Sequence, residues 1–224
     1  MEMMFRRVAV PLGEPGWEGC FLGGRAMLAI DGTTVDVPDT KTNNAHFGRA
    51  GVSKGEQSAF PSARLVAVAE CGTHAMVDAE IGPYRTSEVA LSKKLVDRFK
   101  PGTLVIADRG FYGYDLWVRA VETGADLLWR AKSNMLPRPV GTLPDGSWLA
   151  EFRPSGNKGR KAEPLIIRVI DYQLDDGRGD TGPYRLFTTV LDPAEAPAGE
   201  LALAYAQRWE IELAFDELKT HQRG

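Results

Sequence analysis

Ala26-Met27-Leu28-Ala29-Ile30-Asp31-Gly32 and Thr103-Leu104-Val105-Ile106-Ala107-Asp108 decide the fold. Each is an unbroken apolar run closed by an aspartate. Runs of this length without polar alternation read as strands buried on both faces, and such strands belong at the centre of a sheet covered by helices. The carboxylate at each strand's end then sits on one edge of a rigid scaffold, a suitable place to present a ligand. Taken singly, Asp before Gly is ordinary turn chemistry, so neither acid identifies a site by itself.

The flanking segments fit the same plan. Arg64–Glu70 and His74–Ile81 are strand-like runs around Cys71-Gly72-Thr73, a hairpin pattern. Ser87 caps an amphipathic stretch with Val89, Leu91, Leu95, Val96 and Phe99 apolar, ending before Pro101-Gly102. Tyr112–Thr123 reads as a helix stopped by Gly124, and Asp126–Ala131 as a strand. Residues 135–183 change character: they are rich in Pro, Gly and charge, with β-like runs at Ser147–Phe152 and Leu165–Tyr172. Tyr184–Leu191 is another strand and Pro193–Gly199 a linker. Glu200–Lys219, free of Gly and Pro, reads as one continuous helix. The first 24 residues are broken by Gly and Pro, and Asp39–Phe60 reads as a polar loop. Strands and helices mixed in this order make an α/β fold.

Bulk properties bound the function. The chain has 224 residues, 43% hydrophobic and 25% charged, with a formal net charge of -3. This is globular composition without the strong basic excess of a typical nucleic-acid binder. Cys20 and Cys71 fit no metal or disulfide pattern and read as reduced thiols. The sequence carries no signal-peptide pattern and no apolar run long enough for a membrane helix, so a cytoplasmic protein is expected. His46, His74 and His221 form no spaced ligand set. Gly51-Val52-Ser53-Lys54-Gly55 lacks the spacing of a phosphate loop, and Arg49–Lys54 reads as a basic loop near Asp31. The densest basic cluster is Asn157-Lys158-Gly159-Arg160-Lys161.

The last helix joins these signals. At about 100° per residue, Tyr205, Arg208, Glu212 and Lys219 lie within roughly 60° of one another. A carboxylate therefore shares a polar stripe with two cations. Three carboxylates, Asp31, Asp108 and Glu212, suffice to hold two divalent ions, because magnesium takes one or two carboxylates and fills its shell with water and substrate phosphate. Arg208 and Lys219 suit phosphate oxygens. The same stripe is also what a solvated helix face with internal ion pairs looks like.

Tyr205, Arg208, Glu212 and Lys219 match Y-(2)-R-(3)-E-(6)-K at every fixed position. This resembles the signature of the insertion sequence four family of bacterial DDE transposases. Ala29-Ile30-Asp31-Gly32-Thr33 is similar to that family's first catalytic block, and Ile106-Ala107-Asp108-Arg109-Gly110-Phe111-Tyr112 to its second. Trp129-Arg130-Ala131-Lys132 resembles a basic strand end near the DNA. Asp31 and Asp108 lie 77 residues apart and Glu212 a further 104, an interval that a β-rich insertion fills in this family.

The resemblance implies a ribonuclease H-like core over residues 26–134 and 184–224, a β-rich insertion at 135–183, and an N-terminal remnant or linker at 1–25. It implies Asp31, Asp108 and Glu212 as catalytic metal ligands for two Mg2+ or Mn2+ ions. Tyr205, Arg208, Lys219, Arg109 and Arg130 are then DNA contacts. The partners implied are double-stranded DNA, as transposon ends and target, and a second copy in a paired-end complex. The location implied is the bacterial cytoplasm, at the nucleoid. Family members carry more chain before the first aspartate and after the last helix, so a truncated copy is expected. Two other readings stand beside this one: a remnant that binds DNA without turnover, and another two-carboxylate enzyme such as a glycosidase.

Overall fold

The computed structural model describes residues 2–51, 57–132, 134–154, 156, 162–173 and 183–221. Residues 52–54 of the basic loop and the cluster 157–161 fall outside these residues. The chain order is α1 (Glu2–Val8), β1 (Phe21–Leu22), β2 (Arg25–Asp36), α2 (Lys41–Phe47), β3 (Arg49–Gly51), β4 (Gln57–Glu70) and β5 (Met76–Pro83). There follow α3 (Glu88–Val96), β6 (Thr103–Ala107), α4 (Tyr114–Val121), β7 (Asp126–Ala131), β8 (Arg138–Thr142), β9 (Trp148–Phe152), β10 (Leu165–Gln173), β11 (Pro183–Thr188), α5 (Ala198–Ala206) and α6 (Trp209–His221).

The two apolar runs pair as parallel neighbours at the centre of the sheet, Ala26 opposite Thr103 through Ile30 opposite Ala107. On one side β4 joins β2, and β5 joins β4, both antiparallel. On the other side β7 is parallel to β6. Then β11, β10, β9 and β8 continue the sheet, each antiparallel to its neighbour. The strands of the 135–173 stretch thus extend the same sheet. The result is a mixed α/β architecture in three layers.

Side-chain alternation sorts the core cleanly. Leu28 and Ile30 of β2, Val105 and Ala107 of β6, and Leu127 and Trp129 of β7 point to one face, where α3 and α4 bury Leu91, Leu95, Leu116 and Trp117. Met27, Ala29, Leu104, Ile106 and Leu128 point to the other, beneath Leu201, Ala204 and Tyr205 of α5 and Ile211 and Phe215 of α6. Ser87 caps α3 as its sequence suggests, its side chain accepting from the Ala90 amide.

Four local expectations are corrected. The polar stretch 39–60 is not one loop: it contains α2 and β3 and runs into β4. Thr40 accepts from the Asn43 amide and starts α2, a short helix with no buried residue and so no apolar periodicity to find. His74 is not in a strand but in the β4–β5 turn, at φ 59. Strand β2 does not end at Asp31. It runs on to Asp36, because β4 stays paired alongside it to Ser62. Glu200–Lys219 is not one helix: it breaks between Ala206 and Trp209.

Candidate active site

Register places the first two acids. Ile30 and Ala107 are partners in the parallel ladder, so Asp31 and Asp108 follow side by side on neighbouring strands. Both come one residue after a side chain on the α3–α4 face, so alternation turns them toward α5 and α6. Asp108 leaves the sheet at the end of β6, and its Oδ1 accepts from the Gly110 amide at 2.6 Å. Asp31 Oδ1 accepts from the Gly32 amide at 2.7 Å. Gly32 answers a second demand, since a Cβ there would meet the Glu88 side chain at 2.5 Å.

The helix break delivers the rest. Backbone bonds from Gln207 to Ala204, Arg208 to Tyr205, Glu210 to Gln207 and Ile211 to Arg208 all span three residues, so the chain tightens between α5 and α6. Arg208 sits in that turn at 8% exposure. Its guanidinium donates to Asp31 Oδ2 at 2.9 Å and to Glu212 Oε1 at 2.9 Å. The pairing of Arg208 offsets the loss of continuous helical bonding there. A continuous helix is what the absence of Gly and Pro suggested, and composition carries no signal for a break driven by a charge across the fold.

Three carboxylates therefore converge. Burial pushes the Asp31 carboxyl up to about 6, opposed by the Gly32 amide and Arg208 and reinforced by the charges of Asp108 and Glu212. Tyr205 is buried against Arg208. Its phenol is pushed up to about 12, mainly by burial, with the Asp108 charge adding to the shift. Arg130 points to the same face, half-buried, its guanidinium 4.0 Å from the centre of the Tyr184 ring. Arg109 is exposed beside Asp108, and Lys219 is half-buried two turns beyond Glu212 on α6. Among the described residues, no three acid, histidine or cysteine side chains stand as a ready metal-binding set. The guanidinium of Arg208 lies between two of the acids that would form one. The donor chemistry itself, three carboxylates on rigid elements, suits a hard divalent cation.

Sequence reasoning missed two supports of the site. Arg168, fully buried, donates to Ser147 Oγ at 2.8 Å and to the Ala196 carbonyl at 2.8 Å, and pairs with Asp145. Asp145 in turn accepts from the Ala198 amide at the start of α5. His74 Nε2 pairs with Glu210, tying α6 to the β4–β5 turn. A lone Arg inside an apolar run (Ile166-Ile167-Arg168-Val169-Ile170) was the available signal for the first. Nothing local in sequence marks the second.

The sequence pattern of the family described as "Transposase DDE domain" matches residues 23–224. The chain belongs to that family. Among relatives of this DDE domain, the transposase InsG for insertion sequence element IS4 of Escherichia coli (strain K12) is 29% identical over 204 residues, covering 90% of this chain and 46% of its own length. The putative transposase InsZ of the same organism is 30% identical over 129 residues, covering 58% of this chain and 43% of its own. The DDE chain thus spans somewhat less than half the length of these relatives. Among solved structures, the piggyBac transposase synaptic complex with hairpin DNA, by cryo-electron microscopy, superposes with a TM-score of 0.48 at 14% identity, over 86% of this chain and 40% of that one. No helix among the described residues is long and apolar enough to cross a membrane.

Proposed function

We propose that this chain is the catalytic core of a DNA transposase that cuts and rejoins phosphodiesters at insertion-sequence ends. The observation that carries the reading is the convergence of Asp31, Asp108 and Glu212 from two adjacent strands and a crossing helix, within a chain of the DDE family. The strand order β5-β4-β2-β6-β7, with the first three antiparallel and the last two parallel to β2, supports a ribonuclease H-like core. In that reading, 26–134 and 184–224 form the core and 135–183 the β-rich arm that widens its sheet.

Asp31, Asp108 and Glu212 would hold the divalent ions, Mg2+ or Mn2+ and two in number on this reading. When bound, these supply neutralisation of the scissile phosphate and acidification of the attacking hydroxyl. The protein's own residues do the rest. The Gly32 and Gly110 amides orient the Asp31 and Asp108 carboxylates. Buried Tyr205 packs the turn that aims Arg208. Arg208, Lys219, Arg109 and Arg130 meet backbone phosphates, which position the duplex without reading its sequence. The partners are transposon-end and target DNA and a second copy of the chain in a paired-end complex. The setting is the bacterial nucleoid.

The test is nicking of an end-labelled duplex by purified protein with Mg2+ or Mn2+, beside Glu212→Gln. Cleavage by the parent and none by a folded variant supports the reading. A folded parent that binds duplex but never cuts it points instead to a DNA-binding remnant.

A further inference from the structure

Arg208 is the cation that stands within the acid cluster, and its bonding is incomplete. One terminal nitrogen serves Asp31 Oδ2 and the other Glu212 Oε1. Asp31 Oδ1 is already taken by the Gly32 amide. Both oxygens of Asp31 therefore already accept a hydrogen bond, and the guanidinium charge beside them opposes a metal ion there. The Gly32 amide is fixed in the β2 backbone, whereas Arg208 stands at the end of a side chain. Its Nε is buried without a hydrogen-bond partner, a cost the guanidinium bears where it is. The face of Trp209, itself 62% exposed, lies 5.2 Å from the guanidinium carbon and offers it an apolar and π surface on the way outward. A phosphate can offer two oxygens to the Nε and a terminal N–H together.

We propose that Arg208 is an internal counter-ion that keeps metal affinity low in the free protein, and that a DNA backbone phosphate, by drawing the guanidinium off Asp31 and Glu212, opens both carboxylates to metal. This rests on the reading of Asp31, Asp108 and Glu212 as metal ligands. Metal and DNA then bind cooperatively, and by linkage each raises the affinity of the other by the same factor. The device keeps an endonuclease centre idle away from its substrate. It also keeps the three clustered acids from standing together uncompensated.

The test measures Mn2+ affinity by electron paramagnetic resonance of the free ion, on the whole chain, with and without saturating duplex and with the duplex alone subtracted. Parent, Arg208→Gln and Asp108→Asn are compared, each checked for folding by circular dichroism. Free Arg208→Gln is expected to bind Mn2+ about tenfold or more tightly than the free parent. Duplex should raise the parent's affinity about tenfold or more and that of Arg208→Gln by much less. Equal Mn2+ affinity of the two free proteins, or an equal gain from DNA in both, overturns the proposal. The second outcome would mean that phosphate merely adds a ligand. Asp108→Asn separates the two readings. If the parent's Mn2+ binding on DNA is lost in that variant, the carboxylate site stands whatever Arg208 does. If Asp108→Asn binds as the parent does, the metal-ligand reading itself has failed.

Discussion

The two faces of the central sheet each bury an apolar cluster but differ in what they add to it. Beneath α3 and α4 the sheet meets aromatic packing: Trp117 stands edge-on to Trp129 at 5.2 Å, and Phe152 and Phe187 close the group at 5.7 Å. Beneath α5 and α6 the same strands offer Asp31, Asp108, Arg130 and Arg168, and the covering helices answer with Arg208 and Glu212. Both faces bury apolar area, and the second also holds charges that apolar contacts cannot satisfy. The contrast separates residues whose loss unfolds the chain from residues whose loss silences it.

The largest expected effect lies on the charged face and leaves stability almost untouched. Asp108→Ala should lower metal-dependent nicking by at least about a thousandfold, as loss of a charge-stabilising group in a preorganised site does. Its melting temperature should stay within a few degrees of the parent's. Nicking retained by the variant would remove Asp108 from the site.

The apolar face predicts the reverse. Trp117→Ala, at a position 1% exposed, should cost about 3–5 kcal/mol in denaturant unfolding. A cost below about 1 kcal/mol would mean that the aromatic group is not the keystone of that face. Arg168 tests whether the charged face also carries structure. Truncation to alanine leaves the Val190 and Ala196 carbonyls without their donor and Asp145 without its cation, and about 3 kcal/mol or more should be lost. Arg168→Met, which keeps the volume, should recover part of this. If both variants unfold like the parent, the buried network contributes nothing net.

The same contrast explains what the sequence disclosed. The apolar face and the sheet centre were legible because burial on both sides leaves unbroken runs: Thr103–Ala107 and Asp126–Ala131 have the bounds read from sequence. Asp31 and Asp108 were legible because each follows such a run. Glu212 and Arg208 were found through a spaced pattern, yet the helix carrying them was read as continuous. The turn at Arg208 is held in part by Asp31, 177 positions away in the chain, and helix propensity is blind to such a partner. Arg168 and Asp145 escaped for the same reason. Helix α2, without a buried side, showed no period, and β2's run past Asp31 depends on a pairing with β4 that only the fold reveals.

The smallest effect sharpens the comparison most, because it asks whether Asp31 is stabilising or strained. Burial holds its carboxyl at about 6, above the ordinary 3.8, even with Arg208 beside it. A carboxyl whose folded value is raised binds its proton more tightly folded than unfolded. The metal-free protein should therefore lose stability as pH rises from about 4 through 6, with the full penalty present above that window. A rise of that size corresponds to about 3 kcal/mol at most. Arg208 would be left with Glu212 alone, so the net gain from Asp31→Asn at pH 8 in chelator should be about 1–2 kcal/mol, fading to nothing near pH 4. Denaturant midpoints across that range decide it. If Asp31→Asn is instead weaker than the parent at pH 8, the Arg208 pair outweighs burial and the acid is part of the scaffold. If it is stronger, the charged face holds this acid against the fold's own preference, as expected of a group kept for chemistry rather than for packing.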